Sequence, residues 1–488
     1  MVAMESSAEK RPRLDTSKPA PPGPVSFSPI RRLKREFSAE RHREVPYPAG
    51  LMNFSIPRTL RFQRDPLGSL LEAYEEFGPI FTLRILSVPV VFMLGPEANH
   101  FVLVSDADKF SWREGSMGDL IPLLGDGLLT TDGRYHRRGR KIMLPSFHRD
   151  RIAMAGDVML EEISQATDSL KVGQELDIYD WTRHLALRIA MRALFGFDPD
   201  GREGRTATDF ESALAYYSQD YFRQMLRGPG TPFDKLTKSS GRLDELIFDE
   251  IATRRRQLAE SGQPSADLLG MLLAAADEDG SGLSDREIRD QVMTLLFAGH
   301  DTTTSTVTFL FHELSKNPEA MDALIAEQDS VLGTRAVTPA DLTGETLPQL
   351  ELAVEETLRL YPPAWIGPRR VMESFEFNGQ TVPKGTQLSY SSWASHHLPD
   401  VWPDAEAFRP ERFSPENKAL LKKGAYVPFG GGSRTCIGMR FGQMEVRAIT
   451  TAILRNWRLE GKSDYRLSIR QMPTLSPRDG MPMKIVPR

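Results

Sequence analysis

The spacing of apolar positions changes many times along the chain, and each change marks an element. Up to about residue 45 there is no period, because Pro19, Pro21, Pro22, Pro24 and Pro29 interrupt it, and a mobile tail is expected there. Helical spacing over 70–77 stops at Gly78-Pro79 and gives way to two extended runs, 80–85 and 88–94, which predict a hairpin. Residues 108–133 are Gly-rich and without period, so a loop is expected. A strongly basic helix over 135–143 follows, then helices over 157–170, 181–195, 209–226 and 243–261.

Ser284-x-x-Glu287 is a capping box, and the helical pattern after it meets no proline until Asn317-Pro318. Roughly 30 residues of helix would span about 45 Å, enough to cross the molecule. Another helix stops at Tyr361-Pro362-Pro363; an extended stretch covers 368–382, and a long helix follows Cys436 to about Trp457. The pattern predicts a mainly α fold with small β-sheets, and no internal linker divides residues 46–488.

One part of the long helix contradicts its surroundings. Ala298-Gly299-His300-Asp301-Thr302-Thr303-Thr304 opposes helix by propensity, and threonine hydroxyls can bond back to the carbonyl four residues earlier and open the ladder. Function is expected where an otherwise strong element breaks its own rules.

Composition narrows the classes. The chain has 488 residues, with 61 Lys or Arg against 66 Asp or Glu and a net charge of −5, so no global attraction to nucleic acid or anionic membrane is implied. Residues 1–45 hold ten basic and six acidic residues, which leaves a basic targeting or partner-binding arm as the alternative to a plain tail. No apolar run is long enough for a membrane anchor or signal peptide. One cysteine excludes an intrachain disulfide, and a cytoplasmic monomer is expected.

That cysteine carries the chemistry. Gly430, Gly431 and Gly432 let the backbone turn tightly before Cys436, and Gly438 follows where a helix begins. Near a helix N-terminus, with Arg434 two residues away, the thiolate is expected to be favoured. No histidine sits in a partner motif for a nucleophile, and zinc would need three further ligands. One protein ligand is enough when a cofactor supplies the rest of the coordination, as porphyrin does for iron.

The pattern Phe429-x-x-Gly432-x-Arg434-x-Cys436-x-Gly438 resembles the haem-binding signature of the cytochrome P450 superfamily, the haem-thiolate monooxygenases. The resemblance extends over about residues 46–488 and implies the cytochrome P450 fold, with the long helix lying over the haem. It implies a haem b held without a covalent link, Ala298 standing where some relatives use a glutamate to esterify it. Cys436 would be the axial ligand. Arg434, His136, Arg140 and Arg369 would meet the propionates, with Arg370 the alternative to Arg369; His136 stands where many relatives have tryptophan. Asp301 and Thr302 would be the acid and alcohol that manage protons during oxygen activation. Glu356, Arg359 and Arg412 would form a buried ionic triad that maintains the fold.

Loop 108–133 and the 209–226 helix, with Tyr216, Tyr217, Tyr221 and Phe222, would cover the substrate, and Thr474 would enter the pocket from below. The implied reaction inserts one oxygen atom of O2 into a small apolar organic substrate, with electrons from a separate ferredoxin or flavodoxin and its reductase. Arg137, Arg138, Lys141, Lys422, Lys423 and Arg440 would steer that donor by charge. A peroxide-using or rearranging haem-thiolate enzyme, or a non-catalytic haem sensor, are the alternatives.

Overall fold

The computed structural model describes residues 21–23, 29–199, 204–219, 221–276 and 280–488. Nine helices among the described residues build most of the fold: α1 (Pro29–Arg41), α2 (Gly133–Met143), α3 (Arg149–Thr167), α4 (Ile178–Ile189), α5 (Gly204–Leu214), α6 (Pro232–Ser261), α7 (Asp285–Lys316), α8 (Pro348–Leu360) and α9 (Met439–Leu454). Six strands, β1 (Gly50–Leu51), β2 (Ile80–Ile85), β3 (Val88–Met93), β4 (Phe110–Ser111), β5 (Gly367–Val371) and β6 (Gln387–Tyr390), form one sheet in the order β1-β2-β3-β6-β5-β4. The predicted hairpin is β2–β3, in antiparallel register from Ile80↔Met93 to Ile85↔Val88.

The core lies among the helices, and α7 is its axis. Ser284 caps it, donating and accepting reciprocally with Glu287, and it runs unbroken for 32 residues to Asn317. Helices α4, α8 and α9 pack along it. A helix covered on all sides cannot be amphipathic, and α7 is accordingly buried through Ile288–Leu296 and Thr303–Leu310 alike.

Four expectations about elements change. Residues 29–41 are helical rather than part of an irregular tail; residues 1–20 and 24–28 of that tail lie outside the described residues. The inner face of α1 is charged and its Leu33 and Phe37 face outward, so apolar spacing could not reveal it. The helix expected over 209–226 is two, α5 and a short helix Tyr221–Met225, separated where buried Tyr216 and Tyr217 meet edge to face at 5.0 Å. The side chains of Tyr221 and Phe222 lie outside the description. The 243–261 helix is the second half of α6, which begins at the Thr231 cap and Pro232. Loop 108–133 contains the helical turns Ser116–Leu120 and Ile121–Leu124, the latter with Leu123 and Leu124 in the core.

Candidate active site

Cys436 sits on a turn that only glycines permit. Gly430 and Gly432 have φ of 69° and 59°, in the left-handed region that side chains avoid, and a Cβ on Gly432 would come 2.4 Å from the Leu103 carbonyl oxygen. The Cys436 amide closes the turn by donating to the Phe429 carbonyl at 2.9 Å, and α9 starts three residues later with Gly438 as its cap. Cys436 is exposed on this turn, yet protein atoms crowd around its sulfur, and that burial pushes its thiol up. The Gly438 amide and the charge of Arg140 oppose that shift.

The expectation that Arg434 would lower the thiol fails. Its guanidinium reaches away to the Leu128 and Thr131 carbonyls at 3.2 and 2.6 Å and to Asp132 at 2.7 Å. The cation acting on Cys436 is Arg140, on the same face of α2 as His136 and one turn further on.

The middle of α7 provides a second open surface. Phe297, Ala298, Gly299 and Thr302 are part-exposed in a helix otherwise buried around them. Since Ala298 and Thr302 are four apart and Gly299 lies beside them, they form one stripe. A central helix can be open only to an internal space. A Cβ on Gly299 or on Gly438 would meet nothing within 4 Å, so both the helix and the cysteine turn border open space.

Thr302 Oγ1 donates to the Ala298 carbonyl at 2.7 Å. Its only proton is thereby used, and it offers lone pairs to that space. Thr304, Ser305, Thr306 and Thr308 make the same bond four residues back, at 2.7–2.9 Å. The run of hydroxyls therefore accompanies an intact helix and does not open it. Asp301 is about 100° round the helix from Thr302. Its carboxylate meets Arg183 of α4 at 3.3 Å and His300, which burial keeps neutral, at 3.1 Å. Thr474 Oγ1 lies 3.4 Å from the Ser305 hydroxyl.

A cavity of about 260 Å3 is lined by His136, Arg369, Arg434, Trp112, Asp132 and Ser433, among others. The Arg369 and Arg434 guanidinium carbons stand 3.8 and 5.0 Å from the centre of the Trp112 ring, so the indole carries two cations. Arg369 is buried, donates to the Pro368 carbonyl at 2.9 Å and pairs with no carboxylate among the described residues. Arg370 points to the other face of β5 and pairs with Glu36 at 2.6 Å, as alternation along a strand requires. That geometry settles which of the two arginines lines the cavity. Burial and the charges of Arg434, Arg140 and Arg137 hold His136 down to about 3, so it is a neutral imidazole there.

The triad residues also come together. Glu356 accepts from Arg359 at 2.7 and 2.8 Å and from Arg412 at 3.3 Å, with Glu356 and Arg359 fully buried. Asp132, Arg183 and Glu445 were not singled out from the sequence, and Trp112, expected in the loop over the substrate, instead lines the cationic cavity. Asp132 had a signal, an aspartate just before the first turn of a basic helix, and it binds the Ser111 hydroxyl, the Trp112 and Arg113 amides and Arg434.

The donor set fits a haem. It comprises one thiol beside open space, and a cavity lined by three guanidiniums, those of Arg137, Arg369 and Arg434, and the His136 imidazole against two carboxylates, Asp108 and Asp132, the second already engaged by Arg434. Propionates are what such a cavity lacks.

The family model for cytochrome P450 matches residues 46–480, and the chain belongs to that family. It is 33% identical to cyclooctat-9-en-7-ol 5-monooxygenase of Streptomyces melanosporofaciens, over 85% of this chain and 90% of that protein. It is 33% identical to cyclooctatin synthase of the same organism, over 92% and 96%. A retinoic-acid-bound cyanobacterial cytochrome P450 superimposes with a TM-score of 0.81 at 28% identity, covering 91% of this chain and 100% of the other. The chain is a haem-thiolate monooxygenase that takes a cysteine-ligated haem b, O2, an organic substrate and electrons from redox partners. No helix among the described residues is long and apolar enough to cross a membrane.

Proposed function

We propose that this monooxygenase hydroxylates an isoprenoid, with Cys436 as the thiolate on iron and with His136, Arg140, Arg369 and Arg434 compensating the propionates. The assignment of residues rests on one observation: the open stripe of α7 and the open turn of Cys436 both border an internal space, with the cationic cavity nearby. Haem supplies the one-electron and dioxygen chemistry, and a thiolate ligand favours O–O cleavage. The chain's own residues do the rest. Thr302, its proton committed to the Ala298 carbonyl, would accept a hydrogen bond from a protonated group in the open space beside α7. Asp301 accepts from Arg183 at Oδ1, so a proton it relays would be carried on Oδ2. Retention of both Asp301 and Thr302 favours oxygen activation over a peroxide-using or rearranging chemistry.

The substrate class comes from the relatives. Cyclooctat-9-en-7-ol, the taxane of taxane 13-alpha-hydroxylase from Taxus cuspidata (29% identity) and retinoic acid all have isoprenoid carbon skeletons. Ala298 and Gly299 leave α7 bare enough for a bulky ring system. The electron donor is an acidic ferredoxin or flavodoxin-like protein, and the enzyme works as a monomer in the cytoplasm.

Titrating the ferric protein with cyclic and linear isoprenoid alcohols and with fatty acids tests this reading. Isoprenoids should shift the iron to high spin and fatty acids should not; the reverse order would exclude the substrate class. Cys436→Ser should abolish the thiolate-type Soret band of the ferrous–CO complex, and a mutant that keeps it would remove Cys436 as the ligand.

A further inference from the structure

Helix α1 lies before residue 46, where the match to the family begins. Its inner face nevertheless makes three separate attachments. Glu36 accepts from Arg370 of β5 at 2.8 and 2.6 Å and from Gln387 of β6 at 3.3 Å. Arg35, the preceding residue, donates to the Glu114 carboxylate at 2.9 Å and to the Glu114 carbonyl at 3.2 Å. Glu40 pairs with Arg84 of β2. Ahead of the helix, the Gly23 carbonyl accepts from Arg113 at 3.2 and 2.8 Å.

The first two attachments end beside two residues that line the cationic cavity. Arg370 is the neighbour of Arg369, and Glu114 lies two residues after Trp112; Arg369 and Trp112 are the cation and ring in contact at 3.8 Å. The ties between them inside the protein are that contact, a short ladder and one bond from the Met372 amide to the Lys109 carbonyl at 2.8 Å. Strand β4 is an edge strand paired with β5 only at Phe110↔Val371 and Ser111↔Arg370, and the chain leaves the sheet at Trp112. Two residues of ladder are a weak tie. Adjacent side chains of one helix extend it from outside, and Glu36 also neutralises Arg370, so on this strand the positive charge directed into the cavity is that of Arg369.

We propose that Arg35 and Glu36 are positioning residues for the haem propionates, holding β5 and the 110–114 segment together so that Arg369, Trp112 and Arg434 keep their register. This rests on reading the cavity as the propionate site. A partner shell of this kind changes affinity by about tenfold at the lower end of its range.

The test uses the full-length holoprotein and measures haem transfer to excess apomyoglobin together with the ferric/ferrous reduction potential. Glu36→Gln and Arg35→Gln should each speed haem loss, by about tenfold when combined. The potential should move negative as the Arg369 charge recedes from the propionates. The exchanged pair Glu36→Arg with Arg370→Glu should return both values toward the parent. Glu40→Gln serves as the control, because it loosens the same helix away from the cavity. The proposal is overturned if the combined variant releases haem at the parent rate, or if Glu40→Gln moves both readouts as far, since α1 would then act only through general stability. A parent without a thiolate-type ferrous–CO band would instead overturn the haem-site reading beneath it.

Discussion

Glu445 of α9 is fully buried within the contact between α7 and α9. One carboxylate oxygen lies 3.0 Å from Thr303 Oγ1 and the other has no partner. Burial pushes this acid up to about 8, against the Thr303 hydrogen bond. Near neutral pH it is largely a carboxylic acid, and Thr303 Oγ1, which also lies 3.2 Å from the Gly299 carbonyl, donates to it. A carboxyl whose folded pKa lies above its unfolded value of about 4.3 contributes stability that is complete below that value and is lost as pH rises through the folded pKa. Glu445→Gln, which keeps the shape and cannot ionise, should therefore leave the protein more stable than the parent above pH 8, with the difference shrinking as pH falls toward 5. Urea midpoints of both proteins across that range measure it; parallel curves would show that Glu445 is not a buried neutral acid. At this scale the sequence was legible where chemistry is local. Cys436 and Thr302 stand in motifs made by their immediate neighbours. Glu445 stands among Met444, Val446 and Arg447 and looks like surface charge until α7 is laid against it, and Asp132 and Arg183 likewise acquire partners only across the fold.

At the scale of elements, signals at helix ends were readable and inner faces were not. The Ser284 box and the Asn317-Pro318 stop bound α7 as expected. Helix α1 escaped notice because its buried face is polar, and the break after α5 because two buried tyrosines keep an apolar pattern through a turn. The threonine run, expected to open α7, sits in a continuous helix because each hydroxyl adds a bond to the carbonyl without displacing the amide already there. Helix α8 carries a prediction of its own. Glu356 accepts from two arginine side chains and from the Arg409 amide at 2.9 Å, and Arg359 also donates to the His396 carbonyl at 2.9 Å. Removing the carboxylate leaves a buried guanidinium without its counter-charge, a loss of about 3–5 kcal/mol. Glu356→Ala should lower the thermal midpoint sharply and reduce haem-loaded yield, whereas Glu356→Ala with Arg359→Leu should recover part of the loss. A single variant as stable as the parent would show that the triad is dispensable.

For the molecule as a whole, the near-balance of charge conceals its distribution. Arg137, Lys141, Lys422, Lys423 and Arg440 are exposed on α2, on the loop before the cysteine turn and on α9. Arg138, expected among them, is instead largely buried and pairs with Glu287 of α7 at 3.1 Å, so it holds α2 to the core. First-electron transfer from an acidic ferredoxin should slow as salt rises and slow further with Arg137→Glu and Lys141→Glu, while reduction by dithionite stays unchanged. Stopped-flow reduction under CO reads this directly, and rates indifferent to both changes would place the donor elsewhere.

The two faces of α1 reverse the usual consequence of losing a chain end. Leu33 and Phe37 are 40% and 50% exposed while the charges are turned inward, so peeling the helix away would bare arginines and not oil. A chain trimmed to the span that matches the family would keep its core covered and disperse well in water. Arg84 and Arg370 would nonetheless lose their counter-ions together. A solubility screen would pass such a protein as intact, and an ion-exchange column would not.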